Sequence, residues 1–271
     1  MRHYALIGEK LGHSVSQPIH EAIFREMGID ADYRIIEIPR SEMAVQTREL
    51  LCTLDGFNIT IPYKTDVMPL LDEIDPYAAA IGAVNTVRTG EKNVGYNTDA
   101  PGFTRMLERY GIDPAKSEQS FILGSGGTAR TVYACLQQMG ATHVTVVSRH
   151  PDPEKPHEIS YAQFYEVFPQ VGGVIVNASA AGMWPRKDVD NICAIHPDRV
   201  DEMMRYATGV ADVVYNPPET FLTQAAARAG LPWCTGMYML IEQAVQAEAI
   251  WQSRAMPEGL TDKLMKELKL I

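Results

Sequence analysis

The chain lacks any long hydrophobic run. No apolar stretch approaches the roughly 20 residues needed to span a membrane, so no membrane partner is expected. Cysteines number only four (Cys52, Cys135, Cys193 and Cys234). They are far apart and match no CxxC or Cys/His ligand spacing, which argues against a zinc site and a disulfide framework. The expectation is buried free thiols in a reducing cytoplasm. Basic residues are outnumbered, 24 Lys and Arg against 34 Asp and Glu, for a net charge of −10. Nucleic-acid binding needs clustered cations, so no such partner is expected, although a local basic pocket for a small anion is still allowed. The seven histidines are scattered without metal-ligand spacing. Of these, His13 stands beside a candidate cleft, where a structural role is expected. No internal repeat and no low-complexity segment occurs. The opening "MRHYALIGEKLGHS" reads as a strand and not as a secretory segment. A soluble cytoplasmic protein is the expectation, with nothing to separate monomer from homodimer.

What is present is the composition of an ordinary globular protein, 46% apolar and 21% charged over 271 residues. That length exceeds what one core usually organises, so two domains are expected. Through the first hundred residues strands and helices alternate: "HYALIG", the helix "SQPIHEAIFREMGI" with Pro18 in its first turn and Gly28 at its end, and "YRIIEI". A helix "SEMAVQTRELLCTL" capped by Ser41 follows, then the strand "GFNITI" with Phe57, Ile59 and Ile61 on its core face. A helix through "TDVMPLLDEI" and the strand pair "AVNTVR" and "KNVGYN" complete this part. The pattern predicts an α/β domain with a mainly parallel sheet. A second α/β unit starts after "TDAPGFTRMLERYG", and the helical tail "YMLIEQAVQAEAIWQS" and "TDKLMKELKL" is placed with the first domain.

"SFILGSGGTARTVYACLQQMGATHVTVVSR" is strand, glycine turn, amphipathic helix and strand. Ala129, Val132, Tyr133, Leu136 and Met139 fall on one helical face. Gly124, Gly126 and Gly127 allow a tight turn and close approach of a pyrophosphate to free N–H groups at the helix start. In this context the turn predicts a dinucleotide site. At the end of the second strand an NAD-binding unit usually carries an acid; this chain has Ser148 and Arg149. A guanidinium there suits a 2′-phosphate, which favours NADP and leaves NAD open. The plainer alternative for Arg149 is a solvent-facing charge.

Short polar groups gather at strand ends of the first domain: Ser14 and Ser16 in "GHSVSQPIH", Asn58, Thr60 and Lys64 in "GFNITIPYK", Asn85 in "GAVNTV", and Asn97 to Asp99 in "GYNTDAPG". Ligands bind beyond the carboxyl ends of strands in such sheets. Hydroxyls before a helix suit a carboxylate, and amides with hydroxyls suit a polyol. Taken singly, Ser14, Ser16 and Asp99 also fit as helix caps and Lys64 as a solvated charge. Together, Lys64 and Asp99 form a natural proton-transfer pair, since hydride reduction of a ketone leaves an alkoxide that needs a proton.

The motifs "GHSVSQPIH", "GFNITIPYK", "GAVNTV", "GYNTDAPGF", "GSGGTAR", "NASAAGM" and "MLIEQA" resemble those of the shikimate dehydrogenase family, in order and spacing, over nearly the whole chain. The resemblance implies a substrate domain, residues 1–101 plus 237–271, and a Rossmann-like NADP domain, residues 102–236. It implies NADPH-dependent reduction of 3-dehydroshikimate to shikimate, with Lys64 and Asp99 as the catalytic pair. Ser14 and Ser16 would hold the substrate carboxylate, and Asn58, Thr60, Asn85, Gln243 and Tyr215 would contact the ring. Gly124, Ser125, Gly126, Gly127, Thr128 and Ala129 would form the pyrophosphate turn. Ser148 and Arg149 would meet the adenosine 2′-phosphate, and Asn177, Ala178, Ser179 and Gly236 would line the cofactor.

The sequence departs from the family at three places. Ser148 stands for the usual asparagine before Arg149, with His150 and Pro151 following. Tyr238 stands where a glycine beside the nicotinamide is usual, and Tyr96 where many members carry an acid. The alternatives are a quinate/shikimate dehydrogenase using NAD or NADP, and a divergent non-catalytic ligand-binding paralogue. A folate-linked dehydrogenase fits the paired serines poorly.

Overall fold

The computed structural model describes residues 1–12, 14–184 and 192–268, so His13 and the last residues of the expected tail lie outside the described residues. Two compact units divide the chain, Met1–Pro101 with the segment from Leu240 onward, and Gly102–Met239. No described helix is long and apolar enough to cross a membrane.

In the first unit the chain runs β1 (Arg2–Gly8), α1 (Ser16–Met27), β2 (Ala31–Glu37), α2 (Met43–Thr53), β3 (Gly56–Ile59), β4 (Glu73–Ile74), α3 (Pro76–Ile81), β5 (Thr86–Arg88) and β6 (Val94–Tyr96). The strands form one sheet in the order β2-β1-β3-β5-β6-β4, in which β5 is antiparallel to its neighbours and the remaining pairings are parallel. β1 is apolar almost throughout because both its faces are covered. Ala5 and Ile7 join a cluster with Phe57, Ile59 and Val87, while Tyr4 and Leu6 join Phe24, Tyr33 and Trp251 on the other side.

α4 (Asp99–Arg109) leads into the second unit, followed by β7 (Gln119–Leu123), α5 (Gly127–Gln138), β8 (His143–Ser148), β9 (Glu158–Ser160), α6 (Tyr161–Val171), β10 (Gly173–Asn177), α7 (Pro197–Met204), β11 (Ala207–Asp212), α8 (Phe221–Arg228) and β12 (Trp233–Thr235). Its sheet has the order β12-β11-β10-β7-β8-β9 and every pairing is parallel. This is the doubly wound order of dinucleotide-binding folds, whose reversal point lies between β7 and β10. α9 (Met237–Trp251) and α10 (Leu260–Glu267) close the chain. Ala247 and Trp251 of α9 complete the cluster around Tyr4, and Trp251 Nε1 donates to the Val87 carbonyl at 2.9 Å.

Several local expectations are corrected. The segment "TDVMPLLDEI" is no α-helix: a 3₁₀ turn at Met68–Leu70 and β4 occupy it. Pro69 has no N–H and biases its predecessor away from the α region, which prevents a continuous helix. Ser41 lies inside a 3₁₀ turn (Arg40–Glu42), and α2 starts after it without a side-chain cap. β3 ends at Ile59, and Ile61 is 63% exposed instead of packed in the core. The buried face of α5 is Ala129, Thr131, Val132, Cys135 and Leu136, with Tyr133 and Met139 only partly covered. Cys135, Cys193 and Cys234 are buried as expected, but Cys52 is exposed on α2.

Some elements that had not been anticipated carry plain local signals. Asp75 caps α3 through the Tyr77 and Ala78 N–H groups, with Pro76 at the first helical position. Ser160 and Gln163 form a capping box at the start of α6.

Candidate active site

Lys64 is positioned by a turn that is fixed on both sides. The Tyr63 N–H donates to the Thr60 carbonyl at 3.0 Å, and the buried Tyr63 hydroxyl donates to the Ile38 carbonyl. The Lys64 carbonyl accepts the Val84 N–H at 2.8 Å. Asp99 opens α4, but it is not the cap: Asn97 Oδ1 takes the Ala100 N–H at 3.1 Å, which frees the Asp99 carboxylate for other partners.

Lys64 Nζ donates to Asp99 Oδ2 at 2.7 Å, and the two side chains are 12% and 10% exposed. Lys64 is therefore neither a solvated charge nor a helical residue. Asn85 Nδ2 donates to Asp99 Oδ1 at 3.0 Å and to Thr98 Oγ1 at 2.9 Å, while its Oδ1 accepts the Thr98 N–H at 2.7 Å. That backbone donor fixes which end of the amide faces the carboxylate. Gln243 on α9 donates to the Leu240 carbonyl at 2.8 Å, and its Oε1 accepts from Asn85 at 3.5 Å. Asn58 Oδ1 accepts from the Tyr33 hydroxyl at 2.7 Å, and its Nδ2 donates to Thr86 Oγ1 at 3.0 Å and to the Asn85 carbonyl at 3.3 Å. Lys64, Asp99, Asn85, Gln243 and Asn58 thus share one hydrogen-bonded network.

Ser14 and Ser16 lie at the start of α1, where Ser14 Oγ accepts the Ser16 N–H at 3.2 Å. Val15 is the N-cap and makes no side-chain cap bond, so neither serine is the helix cap, and neither bonds to the Lys64 network. The Thr60 N–H pairs with the Ile7 carbonyl at 3.0 Å, leaving the half-buried side chain at the end of β3. Thr86, Thr98 and Tyr33 also belong to the network; of these only Thr98, within the run Asn97 to Asp99, had been placed at a strand end. Thr86 follows Asn85 in "AVNTVR", where it could have been marked; Tyr33 gave no such signal.

In the second unit the turn Gly124–Gly127 leads from β7 into α5. Gly124 has φ +116°, a left-handed conformation that favours glycine, and an added Cβ would lie 3.1 Å from Ser179 Cβ. Gly126 differs: its φ is −78°, and an added Cβ would meet nothing within 4 Å. Ser125 and Gly126 are exposed, Gly127 and Thr128 are partly covered, and Ala129 is buried against the sheet. An open cradle at a helix N-terminus fits an anionic group. Ser148 Oγ lies 3.2 Å from Ser125 Oγ and accepts the His150 N–H at 3.2 Å, and Arg149 is exposed beside it. An exposed guanidinium at this strand end fits a nucleotide bearing a 2′-phosphate.

Asn177 is wholly buried at the end of β10 and bonds to Ser179, Ala181 and Asp212. The Ala178 N–H continues the ladder to the Leu123 carbonyl at 3.0 Å. At Gly236 an added Cβ would lie 2.0 Å from the Val213 carbonyl, so a close backbone approach requires glycine there. Tyr215 follows β11, half-buried, and burial pushes its phenol up from the ordinary value. Tyr238 packs edge-on against Tyr110, with ring centres 6.4 Å apart. No cluster of metal ligands occurs among the described residues.

A family model described as the shikimate dehydrogenase substrate binding domain matches residues 6–87. The sequence is 36% identical to the shikimate dehydrogenase (NADP(+)) of Clostridium perfringens (strain SM101 / Type A), over 99% of each chain. Among solved structures it is similar to a chorismate mutase/shikimate 5-dehydrogenase fusion protein from Clostridium acetobutylicum. The TM-score is 0.89 at 33% identity, covering 99% of this chain and 97% of the other. It is also similar to the quinate dehydrogenase of Corynebacterium glutamicum in complex with NAD, with a TM-score of 0.82 at 28% identity, covering 98% and 99%.

Proposed function

The chain belongs to the shikimate dehydrogenase family, and on that premise we propose that it is an NADP-dependent shikimate dehydrogenase, interconverting 3-dehydroshikimate and shikimate. The observation that carries the proposal is the nearly buried Lys64–Asp99 pair held by Asn85. Bound nicotinamide would supply the hydride to the ring carbonyl carbon. The carbonyl oxygen then needs a proton, and Lys64 Nζ is its donor, held in direction by Asp99. In the oxidative direction the same amine receives the hydroxyl proton.

Ser14 and Ser16 would bind the substrate carboxylate, and Thr60, Asn85, Gln243 and Tyr215 the ring hydroxyls. Asn58 already has partners on both ends of its amide, so its contribution is to fix Thr86 and Asn85 as much as to touch the ring. Gly124 to Ala129 would carry the pyrophosphate, Ser148 and Arg149 the adenosine phosphate, and Asn177, Ala178, Ser179 and Gly236 the nicotinamide side. The substrate domain would be residues 1–101 plus 237–271, the protein cytoplasmic, and its partner a small molecule.

The test is a steady-state assay of shikimate oxidation followed at ~340 nm, where reduced nicotinamide absorbs, run in parallel with NADP and NAD. Turnover with NADP at a higher kcat/KM than with NAD is expected. Absence of turnover with either cofactor across pH would refute the activity. A second reading, a quinate/shikimate dehydrogenase using NAD or NADP, rests on Tyr96 in place of an acid for the substrate and on Ser148 in place of the usual asparagine for the cofactor. Quinate in the same assay separates the two.

A further inference from the structure

Asp212 is a carboxyl group to which the proton-transfer chemistry gives no part. It is wholly buried at the end of β11, opposite Asn177 of β10 in the sheet register. Oδ1 accepts from Asn177 Nδ2 at 2.8 Å and from the Val214 N–H at 3.0 Å, and Oδ2 accepts from Thr220 Oγ1 at 2.8 Å. These donors come from the end of β10, the loop after β11 and the cap of α8. Beyond Asn177 the contacts continue. Asn177 Oδ1 accepts the Ser179 N–H at 3.0 Å and the Ser179 hydroxyl at 2.7 Å, and Asn177 Nδ2 donates to the Ala181 carbonyl at 3.0 Å. Ser179 in turn lies against the glycine turn, its N and Cβ only 3.2 and 3.1 Å from where a Cβ on Gly124 would stand.

We propose that Asp212 is a positioning residue for dinucleotide binding: it clamps Asn177, Val214 and Thr220, and through Asn177 holds the Ser179 turn against Gly124. The inference rests on the dinucleotide reading of the Gly124–Gly127 turn. Every loop tied to Asp212 lies at the carboxyl ends of the parallel strands, the end where such sheets bind ligands. A buried carboxyl stripped of its partners is costly, so the loops and the acid hold one another in a single arrangement. Burial pushes the Asp212 carboxyl up to about 7, which makes the neutral, equal-sized asparagine its closest substitute. In Asp212→Asn the retained carbonyl oxygen still accepts from Asn177 and Val214, and the Thr220 hydroxyl can turn to accept from the new amide. Asp212→Ala removes every acceptor.

The experiment measures NADP+ affinity by fluorescence titration of the full chain, alongside KM for NADP+ and for shikimate, on wild type, Asp212→Asn and Asp212→Ala. Asp212→Ala is expected to raise the NADP+ Kd and KM about tenfold or more while the shikimate KM stays within about twofold, as expected for a lost binding term. Asp212→Asn is expected to stay within about threefold of wild type for NADP+, as rescue by a shape-conserving substitution. A folded Asp212→Ala with unchanged NADP+ Kd overturns the assignment. So does a fall in both substrates' kcat/KM by the same factor, or a tenfold loss of NADP+ affinity in Asp212→Asn. If Asp212→Ala does not fold, Asp212→Ser carries the test: its shorter side chain cannot reach Asn177, and an unchanged Kd overturns the proposal equally. Wild-type protein that binds neither NADP+ nor NAD+ overturns the dinucleotide reading and this inference together. Wild type that binds NADP+ without oxidising shikimate refutes only the activity.

Discussion

Lys64 and Asp99 are 35 positions apart in the chain, yet Nζ and Oδ2 lie 2.7 Å from each other. A turn fixed by Tyr63 and Val84 delivers the ammonium, and the first residue of α4 delivers the carboxylate. Exposed ion pairs contribute little to stability. At 12% and 10% exposure this pair is nearly buried, and under the proposed mechanism it serves orientation and proton transfer more than surface attraction. Lys64→Ala should therefore reduce kcat by about 10²- to 10⁴-fold, the usual range for a lost general acid or base, with a smaller change in shikimate KM. Asp99→Asn presents an amide donor to either Lys64 or Asn85, and a loss of about 10- to 100-fold in kcat is expected from the misdirected ammonium. Stopped-flow or steady-state rates with NADP+ decide the matter, and near wild-type turnover in Lys64→Ala would end the proton-donor role.

Ser14 and Ser16 make no hydrogen bond to that pair and stand at the start of α1. If they hold a carboxylate in ground state and transition state alike, their loss is a binding loss. Ser16→Ala should raise shikimate KM about 10-fold and leave kcat within about twofold. Ser14→Ala should do the same with a small drop in melting temperature, because Ser14 Oγ also accepts the Ser16 N–H. A change confined to kcat in either variant would place the serines elsewhere in the mechanism.

These sites were legible because their residues occur at strand ends in short polar motifs. Asn58 stood out from the alternation of apolar and polar residues, whereas Lys64 and Asp99 taken singly also fit a solvated charge and a helix cap, and only their grouping with Asn85 near strand ends marked them. The second unit was clearer still, since Gly124, Gly126 and Gly127 between an apolar strand and an amphipathic helix specify a tight turn. What escaped was set by long-range packing. Tyr33 reaches Asn58 from a strand two places away in the sheet, and nothing in "ADYRIIE" marks it. Ile61 continued the strand alternation in sequence, but the chain had already left the sheet at Ile59. Asp212 did carry a signal, an acid inside the apolar run "GVADVV", where an unpaired charge is rare. Pro69 was a plain stop signal in the segment misassigned to a helix.

The same Asp212 gives the protein a predictable response to pH. Burial raises its carboxyl to about 7 from the ordinary 3.8, so between those values the folded protein holds a proton that the unfolded chain has released. Stability then falls as pH rises through this window, and the loss is complete above about pH 7. At ~1.4 kcal/mol per pH unit the full effect approaches about 4 kcal/mol. The titratable neighbours, Cys193 and Cys234, are both pushed up by burial, Cys193 to about 11, so they stay protonated and add no slope here. Urea midpoints at pH 5, 6.5 and 8 should decline more steeply for wild type than for Asp212→Asn. Parallel declines would show that the carboxyl does not titrate in this range.

Gly126 offers a way to separate folding from cofactor binding. Most of the chain's demanding glycines are fixed by the fold itself; at Gly236, for example, a Cβ would collide with the Val213 carbonyl at 2.0 Å. Gly126 has an ordinary φ of −78° and open space where its Cβ would stand. No close contact or left-handed φ therefore requires glycine there, and Gly126→Ala should leave the melting temperature nearly unchanged, since alanine's restriction of the unfolded chain by about 0.4–1 kcal/mol offsets its poorer fit at this N-cap. A pyrophosphate lying against the backbone would meet the new methyl group directly. The NADP+ KM should therefore rise about 10-fold or more, with shikimate KM little altered. Gly236→Ala, in contrast, should lower the melting temperature whatever its effect on NADP+. Measuring both variants by thermal melting and by NADP+ titration gives opposite patterns if the cradle holds the pyrophosphate. An unchanged NADP+ affinity in Gly126→Ala would move the phosphate away from this turn.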